Sequence, residues 1–181
     1  MDRTAEKTLL VAALGRGTSE ALAGAAPLVD ARVPAVELRL DSLEEKPDLP
    51  ALRRAYAGRT LLATLRSRAE GGRFGGSASE AAALLGAALD AGFDLADVEL
   101  GLGGADLLGL PRERVVVSAH DFVGTPADLE ERAARLEATG DFAYLNLYGP
   151  PRSIRTLPYS RTLQAARGAH GAVADGAGFA D

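Results

Sequence analysis

Six short apolar runs punctuate this chain, and between most of them lies a segment with helical spacing and recognisable caps. The runs are Thr8–Leu14, Ala35–Leu40, Thr60–Leu65, Leu95–Leu100, the start of VVVSAHDF at Val115–Phe122, and Phe142–Leu147. Strand, helix, strand recurring every ~20–35 residues is the signature of βαβ units and a parallel sheet. The helix signals agree with that order. Thr18 or Ser19 caps EALAGAAPLVDA, which Pro27 ends or kinks; Asp48 and Pro50 open PALRRAYA. Ser77 or Ser79 caps SEAAALLGAALDA, which stops at Gly92, and Thr125-Pro126 opens LEERAARLEAT, which Gly140 closes. Gly15-Arg16-Gly17 reads as the turn from the first strand into the first helix, and EGGRFGGS as a polar, mobile loop. GLGGADLLGLP is too rich in glycine for a helix, and beyond Pro150-Pro151 only RSIRTLPYSRTLQAARG has weak helical character.

The chemistry collects where the strands stop. VVVSAHDF passes from β-branched residues to Ser118, His120 and Asp121, and the carboxyl end of a strand is where a parallel α/β fold keeps its ligand. In VELRLD at 36–41, alternation puts Val36, Leu38 and Leu40 on one face and Glu37, Arg39 and Asp41 on the other. A charged face on a parallel strand has two explanations: a barrel strand pointing polar groups into a wet lumen mouth, or an edge strand with one solvated side. TLRSRAEGG at 64–72 is a third polar strand end, and the fourth strand carries Asp97 and Glu99.

Composition narrows the function. A length of 181 residues suits one domain over 1–181, and 47% hydrophobic and 25% charged residues with a net charge of -5 leave no basic surplus for nucleic acid. Without cysteine there are no disulfides or thiolate metal sites. LLVAAL near the start is too short and too closely flanked by charge for a signal peptide or a membrane span, so the expectation is a cytoplasmic protein. His120 and His170 have no ligand partners at recognised spacing, so no metal is expected. Lysine occurs only at Lys7 and Lys46.

Taken in order, VELRLD, TLRSRAEGG, DVEL at 97–100 and VVVSAHDFVGTP at 115–126 resemble the type I 3-dehydroquinate dehydratases of the shikimate pathway, lyases of aromatic amino acid biosynthesis built as (β/α)8 barrels. The likeness is good over 8–149 and divergent over 150–181. It implies a TIM-barrel-like α/β fold, here incomplete with about six recognisable parallel strands. It implies that Glu37, Arg39 and Arg66 contact substrate, that His120 is the general acid/base and that Glu70 orients it. Arginine forks suit a small hydroxylated carboxylate such as 3-dehydroquinate, and a histidine with an ordinary pKa of about 6.5 can move protons near neutral pH. No cofactor is implied. On residues alone, His120 could instead be a strand-end histidine bonded to a carbonyl, Arg39 and Arg66 surface ion pairs beside solvated Arg68 and Arg73, and Glu70-Gly71-Gly72 a plain loop.

The departures are as specific. The family works through a lysine Schiff base on the sixth strand, an electron sink for proton removal, and Tyr144 stands at that lysine position in DFAYLNLYGP. Lys7 lies ahead of the first strand and Lys46 in an acidic loop, and Ala12 replaces a serine that the family tends to have near substrate. A (β/α)8 barrel typically takes about 250 residues. Three readings follow: a dehydratase-like protein that binds the carboxylate without covalent catalysis; a non-catalytic interaction or regulatory module that uses the barrel remnant as a scaffold; and, ranked last, a dehydratase with different chemistry. Six strands leave sheet edges to cover, so a homodimer or partner protein is expected to dock near the sixth strand, Pro150-Pro151 or the tail.

Overall fold

The structure is a computed structural model describing residues 11–102, 109–120 and 144–148, with Asp128, Glu131 and Ala134 as isolated positions. Its described elements are β1 (Val11–Gly17), α1 (Ser19–Gly24), β2 (Ala35–Leu43), α2 (Leu49–Ala55), β3 (Thr60–Thr64), α3 (Ala78–Asp90), β4 (Leu95–Glu99), β5 (Val115–His120) and β6 (Tyr144–Tyr148). The strands form one parallel sheet in the order β1-β2-β3-β4-β5-β6. A strictly sequential order has a consequence. Right-handed crossovers that always step in the same direction leave every helix on one face, and the sheet curls with the other face inward.

The two faces of the strands carry that division. Val36, Leu38 and Leu40 of β2, Leu61 and Ala63 of β3, Ala96 and Val98 of β4, and Val115 and Val117 of β5 are buried in one apolar cluster. That cluster includes Leu22 of α1, Leu52 of α2 with the neighbouring Tyr56, and Ala81, Leu85, Ala88 and Leu89 of α3. The alternate positions carry Glu37, Arg39, Thr64, Asp97, Glu99, Ser118 and His120. β2 lies between β1 and β3, so its charged face is not the solvated side of an edge strand but part of a polar inner face shared by β2, β3, β4 and β5.

Helix starts follow the expected caps. Thr18 Oγ1 accepts from Ala21 N–H, Asp48 caps α2 with Pro50 in its first turn, and Ser77 and Glu80 form a reciprocal capping box on α3. Gly92, at φ 96°, takes the left-handed conformation that lets the chain leave α3. β1 differs from expectation. Gly15-Arg16-Gly17 is strand rather than turn, with Gly15 opposite Arg39 and Gly17 opposite Leu43 across a register shift. A Cβ on Gly15 would lie 2.6 Å from Ser42 Oγ and 2.8 Å from Arg39 Cβ, so glycine serves close strand approach there. β2 also runs three residues past Leu40, to Leu43. The helix expected after Thr125-Pro126, His170, Lys7 and the docking region around Pro150-Pro151 and the tail lie outside the described residues, apart from the isolated positions and β6. Among the described residues no helix is long and apolar enough to cross a membrane.

Candidate active site

Parallel register aligns Gly15, Arg39, Thr64, Asp97, Val116 and Tyr144 across the six strands. One step further toward the carboxyl ends come Glu99, Ser118 and Asn146, and beyond them His120 beside Tyr148. Arg66 lies two residues past the end of β3 and turns into this space, where its side chain is 5% exposed. Its Nη2 donates to Asp97 Oδ1 at 3.1 Å, and Nη1 lies 2.9 Å from Ser118 Oγ, 3.1 Å from Glu99 Oε1 and 3.4 Å from Glu70 Oε2. His120 Nδ1 is a further 2.9 Å neighbour of the same Nη1. One guanidinium nitrogen carries two hydrogens, so Nη1 has more partners than it can serve at once. Ser118 Oγ donates to Asp97 Oδ1 at 2.7 Å, and Ser67 N–H donates to Glu99 Oε1 at 2.8 Å. Arg66 is therefore the buried centre of a carboxylate cluster, not a surface ion pair.

His120 and Glu70 meet at 2.8 Å through Nδ1 and Oε2. Glu70 reaches that point because the segment after β3 is pinned. Phe74 N–H donates to Arg66 O at 3.0 Å, Arg68 N–H to Phe74 O at 3.1 Å and Gly72 N–H to Ser67 O at 2.7 Å. A Cβ on Gly72 would sit 2.0 Å from Arg66 O, which only glycine permits. Gly71 turns the chain at φ 77°. The start of this glycine-rich stretch is thus a clamp holding a carboxylate against a histidine, where a mobile loop is the expectation from composition. Arg68 and Arg73 are exposed as expected.

Arg39 occupies the same inner face but is committed elsewhere. Its Nε and Nη2 form a fork on Asp41 at 2.8 and 2.9 Å, and Asp41 Oδ2 also accepts from Arg73 N–H at 3.0 Å. Burial pushes the Asp41 carboxyl up, but the Arg39 fork and the N–H groups of Arg73 and Arg66 outweigh it and hold the carboxyl below the ordinary range. Glu37 has no hydrogen bond or ion pair among the described residues. Asp97 is the opposite of Asp41: burial drives its pKa up to about 6, against the pull of Arg66 and Ser118, and the Glu37 charge raises it further. Thr64 Oγ1, fully buried between Arg39 and Asp97 in register, has no hydrogen-bond partner among the described residues.

Of the residues expected at a site, Arg66, Glu70 and His120 are in mutual contact. Arg39 and Glu37 share the face without touching those three. Asp41, Asp97, Glu99 and Ser118 were readable only as polar strand residues; the alternation Asp97, Glu99 opposite Ser118, His120 is the signal that places them inward. Tyr144 begins β6 at the register of Val116, and Lys46 is exposed in the loop after β2. Among the described residues no cluster of three or more histidine, aspartate or glutamate side chains has the arrangement to hold a metal ion.

Residues 11–154 match the model of the type I 3-dehydroquinase family. A curated 3-dehydroquinate dehydratase of Coxiella burnetii is 30% identical over 92 residues, covering 50% of this chain and 40% of the relative. The chain thus matches about two fifths of that relative's length. Among solved structures, the type I 3-dehydroquinate dehydratase of Clostridium difficile, with covalently modified comenic acid, superposes with a TM-score of 0.65 at 25% identity over 82% of this chain and 65% of that one. The 3-dehydroquinate dehydratase of Geobacillus kaustophilus gives the same TM-score and identity over 78% and 61%.

Proposed function

Because the chain belongs to the type I 3-dehydroquinase family, we propose that it binds a small hydroxylated carboxylate such as 3-dehydroquinate at the carboxyl ends of its strands, without forming a covalent imine. The observation that carries this reading is the 2.8 Å contact of His120 with Glu70 beside the buried Arg66. A carboxylate on Nδ1 fixes the imidazole as the tautomer whose Nε2 lone pair can take a proton, and supports the imidazolium once it forms. Arg66, whose Nη1 has four neighbours for two hydrogens, can exchange one of them for a ligand oxygen at small cost. Arg39 must leave Asp41 to do the same, so it acts as a second and weaker clamp.

Proton removal next to a ketone needs a place for the electron pair. A lysine imine supplies one; a phenol does not. With Tyr144 at the position that resembles the family's lysine, the acid/base pair is retained and the sink is not, so binding is expected to persist while dehydration falls by many orders of magnitude. Calorimetric titration with 3-dehydroquinate tests the first part. Borohydride treatment followed by intact-mass measurement tests the second: no adduct is expected on the natural chain, and one mapped to Lys46 would overturn the reading. Tyr144→Lys should gain a trappable adduct. If 3-dehydroquinate shows no saturable binding, the scaffold reading replaces this one.

A further inference from the structure

The inner face carries more negative charge than its own cations offset. Glu37, Asp41, Glu70, Asp97 and Glu99 stand against Arg39 and Arg66. Arg39 spends its fork on Asp41, and Arg66 is divided among Asp97, Glu99 and Glu70. Glu37 is left with no partner among the described residues, yet its charge is felt at Asp97 and Arg39. Gathering ionised carboxylates in a space partly withdrawn from water is costly unless a cation joins them.

Thr64 marks where that cation belongs. Its hydroxyl is fully buried and has no hydrogen-bond partner among the described residues, whereas nearly all buried polar side chains have one. It lies in register between Arg39 and Asp97, and Glu37 sits two residues before Arg39 on the same face of β2. Glu37, Thr64 and Asp97 therefore present acceptor oxygens from three adjacent strands. Nothing else in this row supplies a mobile cation: Gly15 and Val116 have no polar side chain and Tyr144 is uncharged. The lysine among the described residues, Lys46, is exposed in a loop. Three acceptors, one of them a neutral hydroxyl, match the three N–H donors of an ammonium group.

We propose that the inner face where Glu37, Thr64 and Asp97 stand on three adjacent strands is a subsite for the ammonium group of a small primary amine, so that a ligand of this protein brings the cationic nitrogen with it. The proposal does not require 3-dehydroquinate binding, although Asp97 also accepts from Arg66. A carboxylate ligand would use Arg66 and His120, whereas the ammonium subsite uses the face below them.

Methylammonium chloride is the direct probe, titrated into the full chain while the amide NMR signals of Thr64 and Asp97 are followed against potassium chloride at matched ionic strength. Saturable, site-localised shifts are expected with methylammonium and not with potassium. Glu37→Gln, at a half-exposed position, and the near-isosteric Thr64→Val should each weaken binding at least about fivefold, with circular dichroism confirming that both variants fold. Linear, unsaturable shifts, an equal response to potassium, or an unchanged Kd in either folded variant would overturn the subsite. A chain that binds methylammonium but not 3-dehydroquinate would refute the carboxylate reading and leave this one standing.

Discussion

At the amino ends of the strands, Arg59 and Arg114 stand directly before β3 and β5 and donate to main-chain carbonyls. Arg59 reaches Val29 O at 2.8 Å, Asp30 O at 3.1 Å and Val33 O; Arg114 reaches Asp94 O at 3.1 Å, Leu89 O at 3.3 Å and Phe93 O. At the carboxyl ends, Arg39 and Arg66 donate mainly to carboxylates. A carbonyl is a neutral acceptor in a fixed place, so the first pair staples helix ends and loops to the sheet. A carboxylate is charged, titratable and exchangeable for a ligand's oxygen. The same residue type thus secures one end of the fold and keeps the other chemically open, and the acceptor decides which.

The sharpest way to break this comparison is Arg66→Met. It removes the partner of two buried carboxylates, so it should cost about 3–5 kcal/mol by urea denaturation at pH 7.5 and abolish carboxylate binding. A loss below about 1 kcal/mol would mean that Asp97 and Glu99 do not depend on it.

Asp97 gives the next largest effect, through pH. Its native pKa of about 6 lies above the ordinary value of 3.8, so the folded chain holds this proton more tightly than the unfolded one. The resulting stabilisation is fully present below about pH 4 and is lost as pH rises to about 6, a decline of about 3 kcal/mol from this group. Asp41, with its pKa depressed, acts in the opposite sense and at lower pH, its contribution fading as pH falls below the ordinary carboxylate range. Asp97→Asn should flatten the pH 4–6 segment of the stability curve. An unchanged slope would assign it to another group.

Arg59→Met, on the stapled end, should cost about 1–3 kcal/mol and leave ligand affinity at the wild-type level. A change in affinity would show that the two ends are coupled rather than separate.

What the sequence discloses follows the same division. The inward face of β2 is legible because alternation is a strong signal, and Arg66 and His120 because strand ends in parallel sheets are where polar residues gather. Glu70 is legible only through the family resemblance. Composition reads EGGRFGGS as a mobile loop, because the fact that makes its start rigid is the 2.0 Å approach that a Gly72 side chain would make to Arg66 O. That is a three-dimensional property with no local pattern. Gly15 misleads for the same reason: a glycine that lets two strands approach is spelled like one that makes a turn. The commitment of Arg39 to Asp41, by contrast, could have been read, since residues two apart on a strand share a face.

The smallest stability effect, and the most discriminating test of the open end, is expected from Glu70→Gln. Glu70 is partly covered rather than buried, and an amide keeps its volume, so stability should change by less than about 1 kcal/mol. The effect falls on His120. Its Nδ1 lies 2.8 Å from Glu70 and 2.9 Å from Arg66 Nη1, and one ring nitrogen cannot donate to the first and accept from the second together. With a carboxylate at position 70 the proton belongs on Nδ1, facing Glu70, and Nε2 carries the lone pair. With an amide there, the charge that holds the proton is gone, Arg66 becomes the stronger partner, and Nδ1 becomes the acceptor while the proton moves to Nε2. The nitrogen-15 shifts of the neutral ring should therefore exchange their pyridine-like and pyrrole-like positions between wild type and variant. If both proteins show the same tautomer, Glu70 does not set the protonation of His120.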